Sequence, residues 1–197
     1  MAVTPEDEAQ HPLPDSQLAA HAETTLKQLR LEQRSNTKAV AKFFLAVGFH
    51  KPHVRSAPCL TALTEHRVTI GVAVQLPFVF PAHKLDLYPL EKIRLPANQL
   101  PPRNMPGIAW SSYGELLAYH DVAALHASGA PGTVLPSMLV KELRRAYYAA
   151  VSHTDDQLGR VLGALRQNGF QDDTVTVMWG DHGWQLSEHG EWCKHTK

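Results

Sequence analysis

The sequence predicts an α/β protein whose strands run parallel and are joined by a helical crossover. Two short apolar runs, "KFFLAVG" (42–48) and "TVTVMW" (174–179), suit strands buried on both faces of a parallel sheet. Each empties into a loop dense in histidine and charge, "HKPH" (50–53) and "GDHGW" (180–184). A long amphipathic helix stands immediately before the second run, the order that a right-handed crossover between parallel strands requires. Open parallel sheets gather ligands outside the carboxyl ends of their strands. His50 and the pair Asp181-His182 are therefore expected to line one crevice.

Taken in order, "DSQLAAHAETTLKQLRLEQ" (15–33) offers Asp15 and Ser16 as N-cap residues and places Leu18, Ala22, Leu26 and Leu29 at helical spacing. After the first apolar run, Pro52 holds the backbone extended and cannot donate to a ladder, so 50–53 is read as loop. Residues 54–136 are irregular and rich in proline, with a strand-like stretch at 68–80 that Pro77 weakens. From Ser137 the pattern becomes helical, with Leu139, Leu143, Tyr147, Ala150, Leu158, Leu162 and Leu165 at steps of three and four. Asn168-Gly169 reads as a left-handed stop. Gly159 and Gly163 are places for a kink or for close approach of a neighbour.

Bulk composition narrows the class. A chain of 197 residues, 44% hydrophobic and 19% charged, can bury a core as one ordinary globular domain. Nineteen basic residues balance nineteen acidic ones, which argues against a nucleic-acid partner or an anionic membrane surface. The apolar stretch 68–80 is too short to span a bilayer. The acidic, proline-rich opening "MAVTPEDEAQHPLPD" has no basic and apolar segments of a signal peptide. Twelve histidines supply metal ligands and groups that titrate near neutrality, while Cys59 and Cys193 form no C-x-x-C pair.

The chemistry concentrates at the end of the chain. Asp181 and His182 follow the second run, and a turn at Gly183 lets both face one spot. A carboxylate beside an imidazole suits a divalent cation, and it equally suits a hydrogen-bonded pair in a loop. His182, His189 and His195 with Cys193 offer zinc ligands, at spacings that match neither H-E-x-x-H nor the finger patterns. Lys194, beside a cation and His50, would complete an oxyanion pocket fit for phosphate or sulfate esters.

The stretches "FFLAVGFHKPH", "LYPLEKI", "RRAYYAAVSHTDDQLGRVLGAL" and "WGDHGWQLSEHGEWCKHT" together resemble the sulfatases, and within them the branch that removes the 2-O-sulfate of iduronate. "LPDSQLAAHAETTLKQL" is similar to the helix that precedes the first of these, so the resemblance covers 13–53 and about 82–197. It implies an alkaline-phosphatase-like α/β fold, a lysosomal hydrolase of sulfated glycosaminoglycans (dermatan and heparan sulfate), one Ca2+ ion, and a formylglycine nucleophile made from cysteine. Carried onto this chain, Asp181 and His182 would be calcium ligands, His50 and Lys194 would contact the sulfate, and Trp184 would lie near the sugar or form a core aromatic under the loop.

Departures from the family pattern shape the expectation as much. The formylglycine signature C-x-P-S/T-R fits neither "CLTAL" at Cys59 nor "CKHTK" at Cys193. The Asp-Asp pair that ends the family's first strand has no counterpart, since Asp155-Asp156 lies in a helix and Asp172-Asp173 precedes its strand. Residues 55–80 match nothing in the family and are expected to form a poorly packed flap. His195 stands where close relatives carry Tyr. The expectation is a partial sulfatase catalytic domain over 1–197, lacking the nucleophile and half the metal site, with the remaining portions of a sulfatase chain as its partner. The alternatives are another sulfatase or phosphoesterase of the same superfamily, and a catalytically inactive metal-binding or interaction product.

Overall fold

The computed structural model describes residues 2–35, 42–51, 54–55, 67–68, 74–75, 78–111 and 113–194. Among them the helices are α1 (Pro5–Gln10), α2 (Pro14–Ser35), α3 (His120–Ala123) and α4 (Ser137–Gln167). The strands are β1 (Ala2–Val3), β2 (Phe44–Leu45), β3 (Val54–Arg55), β4 (Arg67–Val68), β5 (Val74–Gln75), β6 (Phe80–Pro81), β7 (Gln185–Leu186) and β8 (Trp192–Cys193). The chain divides into two compact units, Met1–His83 with Ala150–Thr176, and Lys84–Ala149 with Val177–Lys197.

The expected continuous parallel sheet is replaced, among the described residues, by four separate two-stranded pairs: β1–β6 and β2–β4 parallel, β3–β5 and β7–β8 antiparallel. "KFFLAVG" forms a strand only at Phe44–Leu45, paired on one side by β4. "TVTVMW" forms none, and Val175, Val177, Met178 and Trp179 are solvent-exposed, Val175 at 90%. The reason is physical: a strand meant to be buried on both faces needs hydrogen-bonded neighbours, and no described strand lies beside this one.

In the first unit α2 buries Asp15, Ala19, Ala22 and Leu26 along one face. Leu26 packs with Ala164, Leu165 and Phe170, and Leu29, Phe43 and Leu45 close over that cluster. Phe43 meets Phe170 edge to face at 5.1 Å between centroids. Arg160 of α4 grips Glu23 of α2 through two bonds, Nε–Oε1 at 2.9 Å and Nη2–Oε2 at 2.7 Å. The stop of α4 follows its sequence signal: Gly169 has φ +71°, its N–H donates to Arg166 O, and Phe170 N–H donates to Leu165 O at 3.0 Å. That is a Schellman ending, with Phe170 packed on Leu165. Gly159 and Gly163 bring no neighbour close, since a Cβ at either would meet nothing within 4 Å.

Two expectations change here. Asp15 does not cap α2, which begins one residue earlier at Pro14; Asp15 lies inside its first turn with the carboxylate turned to residues 50 and 51. The end of the 55–80 stretch is not a loose flap, because Phe78 and Phe80 are buried and β6 pairs with β1. Pro52, His53, Cys59 and Pro77 lie outside the described residues, as does His195.

The second unit is mostly irregular chain and short 3-10 turns around Tyr113, Leu116, Val122, Val140, Leu143 and Trp192. The Tyr113 hydroxyl lies 2.7 Å from Thr133 O and 3.0 Å from Gly190 O. Burial pushes its pKa up to about 12, with the Glu191 charge adding to the rise. Gly190 has φ +75°, and a Cβ there would stand 3.1 Å from the carbonyl of Gln99. No helix among the described residues is long and apolar enough to cross a membrane.

Candidate functional site

The first unit holds His50. Its backbone N–H donates to Asp15 Oδ1 at 2.9 Å, its ring Nδ1 lies 3.1 Å from the same oxygen, and Lys51 N–H donates to Asp15 Oδ2 at 3.1 Å. Asp15 is fully buried and His50 keeps some exposure. Burial alone would raise the Asp15 carboxyl, but the hydrogen bonds from His50 and Lys51 and the Lys51 charge outweigh it, so its pKa falls below the ordinary value. Burial lowers the Lys51 ammonium, partly offset by Asp15 and Glu8. His153 of α4 is buried, its Nε2 has no hydrogen-bond partner among the described residues, and burial lowers its pKa against the pull of Asp15 and Glu8.

The second unit holds Asp181, His182, Trp184 and Lys194. Asp181 is 84% exposed, and its loop closes on itself: His182 N–H donates to Asp181 Oδ1 at 2.9 Å, His182 Nε2 stands 3.4 Å from Asp181 Oδ2, and His182 Nδ1 lies 2.9 Å from Gly183 O. Lys194 is the opposite case. Its Nζ is 3.6 Å from Glu115 Oε1 and 5.6 Å from the centre of the Trp184 ring, and its side chain is 9% exposed. Trp184 is half-buried and tilts against Tyr147 at 6.3 Å.

The back half of the D-H-G-W-x-L-x-E-H-G-E-W run is scaffold. Glu188 Oε1 accepts from Arg144 Nη1 at 2.6 Å and its Oε2 accepts from Leu186 N–H at 2.7 Å. Burial raises the Glu188 carboxyl, and Arg144 together with the backbone N–H groups of Glu188 and Leu186 more than reverses it. Glu191 is buried, accepts from Ser111 N–H at 3.2 Å, and is pushed up by burial. Trp192 is buried, and Ser187 and His189 take left-handed backbone, φ +78° and +56°. The dense charge at this end of the chain thus splits into an exposed Asp181-His182 tip and a hydrogen-bonded support in which Glu191 and Trp192 are buried.

A calcium ion takes six to eight oxygens. Among the described residues no group of three His, Cys, Asp or Glu could hold a metal ion. Asp181 and His182 alone do not make a calcium site, and the zinc set His182, His189, Cys193 and His195 includes a residue outside the described ones. Burial and Glu115 push the Cys193 thiol up to about 12. Glu115 and Asp15, which contact Lys194 and His50, and Arg144, which holds the support, are the neighbours that the sequence pattern does not signal. Their partners lie far along the chain, so no local spacing could have signalled them.

The sulfatase family model matches residues 5–197. The chain is 34% identical to iduronate 2-sulfatase of Mus musculus over 93% of its length, and likewise to that of Homo sapiens. It is 32% identical to a sulfatase of Formosa agariphila over 83% of its length. It spans about 28% of the length of the two iduronate 2-sulfatases. A family match across nearly the whole chain, with about a third of its residues identical to those of the two iduronate 2-sulfatases, leads to one conclusion: the chain belongs to the sulfatase family.

Proposed function

We propose that the chain is the central portion of a lysosomal sulfatase that removes the 2-O-sulfate of iduronate from dermatan and heparan sulfate. In this reading His50 and Lys194 meet the non-bridging sulfate oxygens and Trp184 flanks the sugar. The observation that carries it is the Lys194 ammonium, mostly desolvated between Glu115 and the Trp184 face. A cation with little water around it stabilises a sulfuryl group far better than a solvated one. The family match and the identity with the two iduronate 2-sulfatases support a sulfatase, and their substrate is the one proposed here for this chain.

The 197-residue polypeptide alone does not turn over. Binding ground and transition states alike gives no rate without a nucleophile. Neither cysteine stands in C-x-P-S/T-R, and Cys193 is a buried, protonated thiol. The further ligands that a calcium site needs, like the nucleophile, would come from other portions of the sulfatase chain. The second reading, an inactive sulfate-binding product, draws on the same missing nucleophile.

The test is to sequence the transcript that encodes the chain and to assay both the 197-residue polypeptide and the full translation product on a sulfated iduronate disaccharide. An in-frame C-x-P-S/T-R upstream, with turnover by the long product only, supports the proposal. Turnover by the short chain overturns it, and a transcript without that signature favours the inactive reading.

A further inference from the structure

We propose that Asp15 is a positioning residue for His50: it holds Nδ1 as a permanent donor, so that the proton His50 exchanges with a ligand is the one on Nε2. An ionised carboxylate only accepts. Asp15 Oδ1 lies 3.1 Å from Nδ1, so the ring nitrogen facing it carries hydrogen. The same oxygen accepts the His50 backbone N–H and the other oxygen accepts that of Lys51, which fixes the carboxylate in one orientation. Asp15 sits in the first turn of α2, fully buried, where water cannot compete for it. Among the described residues, the other groups in electrostatic reach of this carboxylate are Lys51, whose charge favours it, and the buried His153.

With Nδ1 committed, Nε2 is the nitrogen left for chemistry, and it has no hydrogen-bond partner among the described residues. In the neutral ring Nε2 is an acceptor. In the imidazolium it is a donor, with Asp15 as its counter-charge. A sulfate oxygen takes a hydrogen bond only from the second form. This inference rests on the proposed function only for the identity of the ligand; the tautomer follows from the Asp15 geometry itself.

The experiment is 15N NMR of the histidine side chains in the 197-residue protein, with His50 assigned by loss of its signals in His50→Gln. Above the ring's titration, the expected spectrum has a pyrrole-like Nδ1 and a pyridine-like Nε2. Free imidazole side chains favour the reverse. Asp15→Asn presents an amide N–H2 to one of its two edges, so the Nδ1–H form is expected to lose its dominance while circular dichroism stays unchanged. A wild-type ring with the proton on Nε2, or a folded Asp15→Asn protein with an unchanged tautomer, overturns the proposal. If Asp15→Asn does not fold, the wild-type spectrum decides. Inorganic sulfate, added below the ring's titration, separates the two claims. An Nδ1–H ring whose Nε2 ignores sulfate upholds the role of Asp15 and removes His50 from the sulfate contact.

Discussion

The Lys194 ammonium faces the Glu115 carboxylate at 3.6 Å, with both side chains mostly buried. The pair therefore belongs to the fold of the second unit as well as to the candidate site. Glu115→Gln is expected to lower the unfolding free energy by about 1–3 kcal/mol, the cost of leaving a desolvated charge poorly matched. Urea denaturation checks this, and an unchanged midpoint would reduce the pair to mere proximity. In a full-length product that turns over, Lys194→Ala is expected to cost about 2–4 kcal/mol of transition-state stabilisation. An unaffected rate would take the lysine out of the site.

Acid should weaken the first unit in two steps. His153 has a folded pKa below its ordinary 6.5, so its contribution is present above that pH and is lost as pH falls through the folded value. Asp15, below its ordinary 3.8, contributes above that pH and loses its contribution as pH falls through its own folded value. Urea midpoints measured from pH 8 to pH 3 should show both declines. His153→Gln should remove the upper step alone, and its persistence would assign that step to another group.

Calcium is expected to bind this polypeptide weakly at best, because the exposed Asp181-His182 tip supplies too few oxygens. Isothermal titration should show no tight stoichiometric event. Tight binding that survives Asp181→Ala would sink the assignment of these residues to the metal.

Cys193 should resist alkylation in the native protein at pH 8 and react once urea unfolds it, since burial and Glu115 hold its thiol near 12. Peptide mapping after iodoacetamide reads this residue separately from Cys59. Rapid native labelling would mean the second unit opens readily around β8.

Phe78→Ala is expected to cost about 3–5 kcal/mol, as for other fully buried aromatic side chains. Deleting 56–76 should then be tolerated far better than deleting 55–80, which also removes Phe78 and part of β6. Equal solubility and stability of the two deletions would show that Phe78 and Phe80 contribute little to the core.

What the sequence revealed about this molecule is what local rules govern. The leucine spacing of α2 and α4 and the Asn168-Gly169 stop are properties of neighbouring residues, and they reappear within a residue or two. Asp15 was misread as a cap because its partners, His50 and Lys51, arrive from a loop far along the chain. "TVTVMW" has every mark of a buried strand, but propensity cannot supply the neighbours that a strand needs. Glu188 and Glu191 sit in the same charged run as Asp181 and His182, and only the positions of Arg144 and Ser111 reveal them as supports. Trp184 and Lys194 both stand in the charged run at the end of the chain, and the structure brings the lysine Nζ to 5.6 Å from the ring centre. Glu115, which completes their arrangement, carries no signal in its own surroundings.

The bare run at 175–179 gives the protein an optical gauge. Trp179 is 77% exposed whereas Trp192 is fully buried, so the native emission should combine a red, water-relaxed band with a blue one. Iodide should quench the first and spare the second. Anything that comes to lie along the run, whether another polypeptide or a second copy, would shift that red band to shorter wavelength and shield it from iodide. A fluorimeter can therefore follow the covering of this edge without labels, with Trp179→Phe as the blank.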